Sequence, residues 1–141
     1  MNVIFLDIDG VLNHMGTKEK SPHSTYGIDA VNLKNFYKII ENVNCGIVLT
    51  STWRKYKELF DYFTSKVNCN LIGVTPNLDM QRGNEIQKWL DSNPSVEKYV
   101  ILDDDDDMLE HHMKNLVKTH FSVGLTLDDA DKAISILKGL T

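Results

Sequence analysis

Three short, continuous apolar runs constrain the fold of this chain more than any other feature of its sequence. They are NVIFL at 2–6, GIVL at 46–49 and YVIL at 99–102. The runs are rich in Val and Ile and lack the alternation typical of a strand with one wet face, so they predict strands buried on both faces of a parallel sheet. Weaker runs at 71–74 and 116–121 predict two further strands.

Between these runs, apolar residues recur at spacings of three and four, which is typical of helices with one buried face. Alternating strands and helices joined by short connections predict an α/β fold, namely a three-layer, doubly wound, Rossmann-like sandwich around a mainly parallel five-stranded sheet. In such folds, functional residues gather where the strands end. The residues of the four helical stripes are Val31, Phe36, Ile39 and Ile40; Tyr56, Leu59, Phe60 and Phe63; Ile86, Trp89 and Leu90; and Ala130, Ala133, Ile134 and Leu137.

The length and charge of the chain limit its organisation and its partners. A chain of 141 residues has the size of one ordinary domain, so we expect a single domain over 1–141. No apolar run approaches the ~18 residues that would span a bilayer, and we expect a cytoplasmic protein with no membrane partner. The formal net charge of −5 argues against a protein that coats a nucleic-acid backbone, but it is compatible with binding of a polynucleotide end.

The two cysteines of the chain, Cys45 and Cys69, are expected to be buried, reduced thiols.

The segment 13–29 breaks the alternation of strands and helices. It is polar, contains two glycines and a proline, and has no apolar periodicity. Long loops beside a strand end are often lids or substrate-reading flaps. We therefore expect a flap in place of a larger cap, and a surface loop without such a role is the alternative.

Each of the three strands predicted from a continuous apolar run is followed by polar residues capable of chemistry. If the sheet is parallel, all of these residues lie at one edge, where the carboxylates repel one another and call for a compensating cation. A hard divalent ion with oxygen ligands suits such a site, and we predict Mg²⁺. The residues are Asp7 and Asp9 after the first strand, Thr50 and Ser51 after the second, and Asp103 and Asp104 after the fourth.

Phosphate is the ligand that the neighbouring residues favour. Gly10 permits a sharp turn and close approach of backbone to a ligand. Thr50 and Ser51 stand between a strand and a helix predicted to begin near Thr52, where hydroxyl and N–H groups can bind phosphate or simply cap the helix. Arg82, at the start of the next predicted helix, is the best-placed cation for phosphate oxygens, with Lys88 and Lys98 as the alternatives.

The order of these parts resembles the haloacid dehalogenase (HAD) superfamily of phosphatases over nearly the whole chain, and FLDIDGVL at 5–12 is similar to its first motif. The resemblance implies that Asp7 attacks phosphorus to form an aspartyl-phosphate. It also implies that Asp9 protonates the leaving oxygen and later activates water. Thr50 corresponds to the hydroxyl of the second motif, with Ser51 contributing its N–H.

The resemblance further implies a Mg²⁺ ion bound by Asp7, the carbonyl of Asp9, Asp104 and a phosphate oxygen. Asp103 would orient its neighbours, and Asp107 is a second candidate for part of this role. The superfamily usually has a lysine at its third motif, where this chain offers Arg82.

Within the superfamily, the chain looks like a capless branch of phage and bacterial proteins, some of them associated with RNA repair. The motifs concerned are TSTWR, RGNEI, ILDDD and VKTH…GLT. An open site admits bulky substrates, so the expected partner is a phosphorylated substrate such as a nucleotide or a nucleic-acid end. Trp53 is a candidate stacking surface, with packing against the core as the alternative, and Arg54, Lys55 and Lys57 are candidate nucleotide-binding cations.

Several alternatives stay open. A phosphotransferase or phosphomutase would use the same core, although a mutase generally needs a cap that excludes water. A response-regulator receiver domain has similar layers but a different order of parts, and a non-catalytic binding module would lack most of these groups. Among the histidines, His14 lies near the first motif, whereas His111 and His112 are adjacent and are not expected to form a metal site.

Overall fold

The computed structural model describes residues 1–140 and contains one sheet of five parallel strands. All strand pairs within the described residues are parallel, which confirms the α/β prediction and makes the sheet more regular than the expected mainly parallel one. The strands are β1 (Asn2–Leu6), β2 (Gly46–Leu49), β3 (Leu71–Val74), β4 (Lys98–Asp103) and β5 (Leu116–Lys118), and the helices are α1 (Ala30–Asn42), α2 (Lys57–Lys66), α3 (Arg82–Asp91) and α4 (Leu127–Leu137).

The strand order is β3-β2-β1-β4-β5, with β1 at the centre. Receiver domains of the flavodoxin-like type have the order 2-1-3-4-5 instead. The observed order therefore removes the receiver alternative. It also places the chain leaving β1 between the chains leaving β2 and β4, because β1 pairs with both of these strands.

The central strand is buried on both sides, as its uninterrupted apolar run predicts. Ile4 and Leu6 belong to the larger apolar core, to which α1, α2 and α4 contribute, whereas Val3 and Phe5 belong to a second core that contains Ile86 of α3. The alternation of side chains along β1 thus joins two helical layers to one sheet. This arrangement confirms the three-layer sandwich.

Two element boundaries differ from the predictions. The segment after β2 begins with a 3-10 turn at Thr52–Lys55, and α2 begins only at Lys57. The fifth strand is shorter than expected and ends at Lys118, because the chain then turns at His120, whose carbonyl accepts a hydrogen bond from the N–H of Gly124 at 2.8 Å. Within residues 1–140, every helix is too short to cross a membrane.

The segment 13–29 has no regular helix or ladder, as expected for a loop, but it is internally hydrogen bonded. Lys20 and Tyr26 form an isolated antiparallel bridge, and the hydroxyls of Ser21 and Thr25 lie 2.7 Å apart. The loop ends at Asp29, whose carboxylate caps α1 by accepting hydrogen bonds from two backbone N–H groups. Its shape is therefore determined by local hydrogen bonds.

Candidate active site

Asp7 follows the last residue of β1 and is buried at the carboxyl edge of the sheet. Its N–H donates to the carbonyl of Leu102 at 3.0 Å, which extends the β1–β4 pairing by one residue. Its side chain is 9% exposed and lies 3.1 Å from Nη1 of Arg82. A parallel ladder on both sides of β1 therefore fixes the position of this carboxylate.

Asp103 and Asp104 approach Asp7 from the end of β4. Carboxylate oxygens of Asp7, Asp103 and Asp104 all lie within 4.8 Å of one another. Asp103 is buried and accepts hydrogen bonds from Arg82 at 3.0 Å and from the N–H of Asp105 at 3.0 Å. The structure thus brings together three of the four carboxylates that the sequence predicted at this edge.

The electrostatics of this cluster match a site built for a cation. Burial raises the pKa of Asp7 well above its usual value, and repulsion from Asp103 raises it further, while Arg82 opposes the rise. Burial and Asp103 also raise the pKa of Asp104. Because one arginine does not compensate the carboxylates, an additional positive charge would favour their ionised forms.

Arg82 is held against the carboxylates by the start of α3. Gly83 makes this possible, because a side chain there would place its Cβ 2.7 Å from the Cα of Met108. The N–H of Gly83 donates to the carbonyl of Asp107 at 2.9 Å, and the N–H of Arg82 donates to the carboxylate of Asp107 at 3.3 Å. Although burial lowers the pKa of Arg82, its pairing with Asp7 and Asp103 gives a net rise.

The two lysines considered as alternatives lie elsewhere. A cavity of about 270 Å³ is lined by the acidic cluster and Arg82, and by neither Lys88 nor Lys98. Lys88 lines a separate cavity of about 610 Å³ beside Trp89. Lys98 is the first residue of β4 and lies at the amino ends of the strands, whereas the carboxylates lie at their carboxyl ends. Arg82 is therefore the cation that the fold places at this site.

Asp9 is exposed and lines the same cavity as the cluster, but its carboxylate does not belong to the three-carboxylate group. Two side chains hold it in place. Nδ2 of Asn13 donates to its Oδ1 at 2.9 Å, and Nε1 of Trp53 donates to its Oδ2 at 3.2 Å. Sequence reasoning missed both contacts, since nothing in the residues around Asn13 or Trp53 indicates that their side chains reach Asp9.

Gly10 supplies the turn that directly follows Asp9. Its φ of +84° lies in the left-handed region, and a Cβ at this position would collide with the Asp104 carboxylate. Its N–H donates to Oδ1 of Asn13 at 3.0 Å, and its carbonyl accepts a hydrogen bond from the Thr119 hydroxyl at 2.6 Å. A glycine is needed here for both backbone conformation and space.

Thr50 follows β2 next to β1, and its N–H donates to the carbonyl of Leu6 at 2.9 Å. Its hydroxyl is buried and lacks a hydrogen-bond partner within residues 1–140. Buried polar atoms are nearly always paired, so this hydroxyl is a candidate group for a ligand oxygen. The Ser51 hydroxyl accepts from the N–H of Trp53 at 3.1 Å, which confirms the capping role, here for a 3-10 turn.

Two of the candidate nucleotide-binding residues after β2 are buried. Trp53 is only 2% exposed and belongs to the larger apolar core, which confirms the alternative of packing against the core. The Arg54 side chain is 3% exposed and pairs with Glu85 at 3.0 Å, because the 3-10 turn points it inward rather than along an exposed helix face. Lys55 and Lys57 are exposed, and Lys57 pairs with Asp61 at 2.6 Å.

The histidines lie outside the acidic cluster. Nδ1 of His14 lies 2.9 Å from Oδ1 of Asn32. His111 and His112 do not diverge as their adjacent positions suggested, since the Nε2 atoms of both lie within 2.9 Å of Oε1 of Gln87. That convergence forms on a short 3-10 helix at Glu110–Asn115, to which α-helical spacing does not apply.

The donor set of the site fits the Mg²⁺ ion that the sequence predicted. Magnesium prefers oxygen ligands and is commonly bound by one or two carboxylates together with substrate phosphate. Asp7 and Asp104 offer such carboxylates beside Asp103, and the crowding of negative charge among them is otherwise compensated only by Arg82 among the described residues.

Comparison with known proteins adds one finding. The family model described as the HAD domain in Swiss Army Knife RNA repair proteins matches residues 3–130. No curated protein and no solved structure matches the chain. The matched region contains β1 from Val3 onward, β2 to β5 and every residue of the acidic cluster. The chain therefore belongs to the family of HAD domains found in Swiss Army Knife RNA repair proteins.

Proposed function

We propose that this protein is a Mg²⁺-dependent phosphomonoesterase that forms an aspartyl-phosphate on Asp7 and acts on a nucleotide or a nucleic-acid end. The observation that carries the proposal is the position of Asp7, which lies beside Arg82 and within 4.8 Å of the Asp103 and Asp104 oxygens. A nucleophilic carboxylate, a fixed guanidinium and a cation-binding acid then surround one small cavity.

In the first step, a carboxylate oxygen of Asp7 attacks phosphorus. The bond between phosphorus and the ester oxygen breaks, and Asp9 donates a proton to that oxygen. The guanidinium of Arg82 stabilises negative charge on the phosphoryl oxygens, and the unpaired hydroxyl of Thr50 donates to one of them. The alcohol leaves, and the phosphoryl group stays on Asp7.

In the second step, Asp9 accepts a proton from water as the water oxygen attacks phosphorus. The bond between Asp7 and phosphorus breaks, and inorganic phosphate leaves. The hydrogen bonds from Trp53 and Asn13 hold the Asp9 carboxylate in one orientation through both steps. A Mg²⁺ ion bound by Asp7, Asp104 and the Asp9 carbonyl would neutralise charge on the phosphoryl group.

The nucleic-acid part of the proposal rests on the family and on the openness of the site. Members of the family are HAD domains of RNA repair proteins. Only residues 7–29 join β1 to α1, and they contain no helix or strand of the kind that forms a cap domain. A long phosphorylated chain can therefore reach the carboxylates without displacing a cap domain.

The test is hydrolysis of p-nitrophenyl phosphate with and without Mg²⁺. We expect turnover with the metal, and its loss on chelation. Asp7→Asn should abolish turnover without unfolding the protein. Asp106→Asn is the matched control, because Asp106 is an exposed member of the same acidic run that does not line the cavity.

Undiminished turnover in Asp7→Asn would refute the proposed nucleophile. A panel of 3′- and 5′-phosphorylated oligonucleotides, sugar phosphates and phosphopeptides then tests the substrate class. We expect an oligonucleotide or nucleotide to have the highest kcat/KM.

A further inference from the structure

A second cavity adjoins the acidic cavity and has a different chemical character. Its volume is about 390 Å³, within the ~300–1,000 Å³ range of small-molecule sites. Asp9, Thr52 and Phe121 line both cavities. The two cavities are therefore adjacent, and Asp9 lines both of them.

The position of Asp9 indicates which part of the substrate each of the two cavities would hold. In the proposed reaction, Asp9 donates its proton to the oxygen that leaves phosphorus, so the rest of the leaving group lies near Asp9. The phosphoryl group occupies the acidic cavity, beside Asp7 and Arg82. The second cavity is then the available space for the alcohol that the reaction releases.

The lining of the second cavity favours a flat, uncharged group. Tyr26 and Phe121 stand edge to face with their ring centroids 5.8 Å apart, and His23 and the largely buried Trp53 also line the space. Thr25 contributes a hydroxyl, and neither lysine nor arginine lines this space, so a second phosphate finds no cation there. Aromatic side chains beside hydroxyls are typical of sites that stack and hydrogen bond a nucleobase.

Hydrogen bonds within the fold hold Tyr26 in its place in this cavity. Tyr26 belongs to the bridge that closes the 13–29 loop, and its carbonyl accepts a hydrogen bond from Nδ2 of Asn13 at 3.3 Å. The same Nδ2 donates to the carboxylate of Asp9. The residue that orients the proposed proton donor thus also positions the loop that carries Tyr26.

We propose that this second cavity, which we call the aromatic cavity, binds the nucleobase of the nucleotide whose phosphate is removed. The inference rests on the proposed function and adds a specific recognition element to it. The terminal base stacks on Tyr26 or Phe121, and Thr25 and Thr52 line the same cavity with groups that can hydrogen bond its polar edge. Substrate selectivity then comes from the loop 13–29 and from the turn after β5.

The test compares two oligoribonucleotides that carry the same terminal phosphate, one with its terminal base and one abasic at that nucleotide. Each is prepared with a 3′- and with a 5′-phosphate, and kcat/KM is measured with Mg²⁺. We expect the base-bearing substrate to be preferred about tenfold or more, since stacking one base on an aromatic side chain has an effect of this size.

Two variants locate the preference in the aromatic cavity. Tyr26→Ala and Phe121→Ala should reduce the ratio of the two kcat/KM values towards one. Tyr26→Phe should keep the preference, because it keeps the ring. Leu127→Ala is the control for loss of an exposed apolar side chain away from both cavities. The wild-type comparison needs no variant, so misfolding of a variant does not prevent a decision.

The outcomes separate the inference from the proposed function. Hydrolysis of both oligonucleotides with equal kcat/KM would overturn the aromatic cavity as a base site while the phosphatase proposal stands. A preference that survives Tyr26→Ala and Phe121→Ala alike would place base recognition elsewhere and also overturn the inference. Failure to hydrolyse either oligonucleotide or p-nitrophenyl phosphate would refute both proposals together.

Discussion

A buried ion pair between Arg54 and Glu85 holds together the strand ends on one side of the site, and its disruption should cost much of the stability of the protein. Nη2 of Arg54 lies 3.0 Å from Oε1 of Glu85, and the two side chains are 3% and 7% exposed. Arg54 also donates to the carbonyls of Thr50 at 2.6 Å, Ser51 at 2.9 Å and Thr75 at 3.0 Å. One guanidinium thus connects the ends of β2 and β3 to α3.

Glu85→Gln keeps the volume of the side chain but leaves the Arg54 charge buried without a counter-charge. Removing one partner of a buried pair typically costs about 3–5 kcal/mol. Four carbonyl acceptors remain for Arg54, the fourth being that of Pro76 at 3.4 Å, so we expect a loss near the lower end, about 3 kcal/mol. Oε2 of Glu85 also accepts from the N–H of Leu78 at 2.8 Å, and an amide group misaligned there would add to the loss.

The assay is urea unfolding at 25 °C, with Asp61→Asn as the matched control. Lys57 and Asp61 also form an ion pair, but their side chains are 86% and 58% exposed, so neutralising Asp61 should leave the free energy of unfolding nearly unchanged. High salt should not remove the difference between the two variants, because buried pairs are weakly screened. If Glu85→Gln loses no more stability than Asp61→Asn, the structural role of the buried pair is refuted.

Three further predictions follow from individual contacts. His112 is fully buried, and burial, with a smaller effect of repulsion from His111, lowers its pKa from 6.5 to about 4. Because the unfolded chain binds a proton that the folded protein does not, the protein should lose up to about 3 kcal/mol of stability as the pH falls from 6.5 to 4, and unfolding curves of His112→Phe should show a smaller loss. Gly10→Ala should destabilise the protein by about 1–3 kcal/mol and reduce kcat, because it forces a side chain into the left-handed region and against Asp104. Gly16→Ala should cost less and leave kcat unchanged, because Gly16 has no positive φ and the added Cβ meets only the side chain of His14. Trp53→Phe removes a hydrogen bond to Asp9 and should reduce kcat about tenfold or more with little change in KM, and an unaltered kcat would exclude a positioning role for the indole.

The layers of the fold and the clustered carboxylates were predictable because they depend on local patterns. An apolar run such as 2–6 predicts a strand buried on both faces, and parallel strands bring their carboxyl ends to one edge. Asp7 and Asp103 follow from this rule alone. Arg82 also follows, since a residue at the start of the helix before β4 lies near that edge.

The contacts that hold these groups in place were not predictable in the same way. Nε1 of Trp53 reaches a carboxylate 44 residues away, and the sequence around Trp53 is equally compatible with an exposed helix face. The sequence predicts a helix beginning near Thr52, which would leave Arg54 exposed as a free cation. The chain instead forms a 3-10 turn there, and Arg54 is buried. A change of helix type over four residues reverses the exposure of a side chain without altering composition or hydropathy.

The position of Asn13 suggests why catalytic and recognition roles can be coupled in so small a protein. Its amide donates to the carboxylate of Asp9 and to the carbonyl of Tyr26, and its Oδ1 accepts from the N–H of Gly10. A substitution that shortens this side chain would release the acid and the loop together. Under the proposed function, a change in the 13–29 loop that alters leaving-group selectivity would therefore also affect Asp9, whereas Asp7, Asp103 and Arg82 are positioned by β1, β4 and α3.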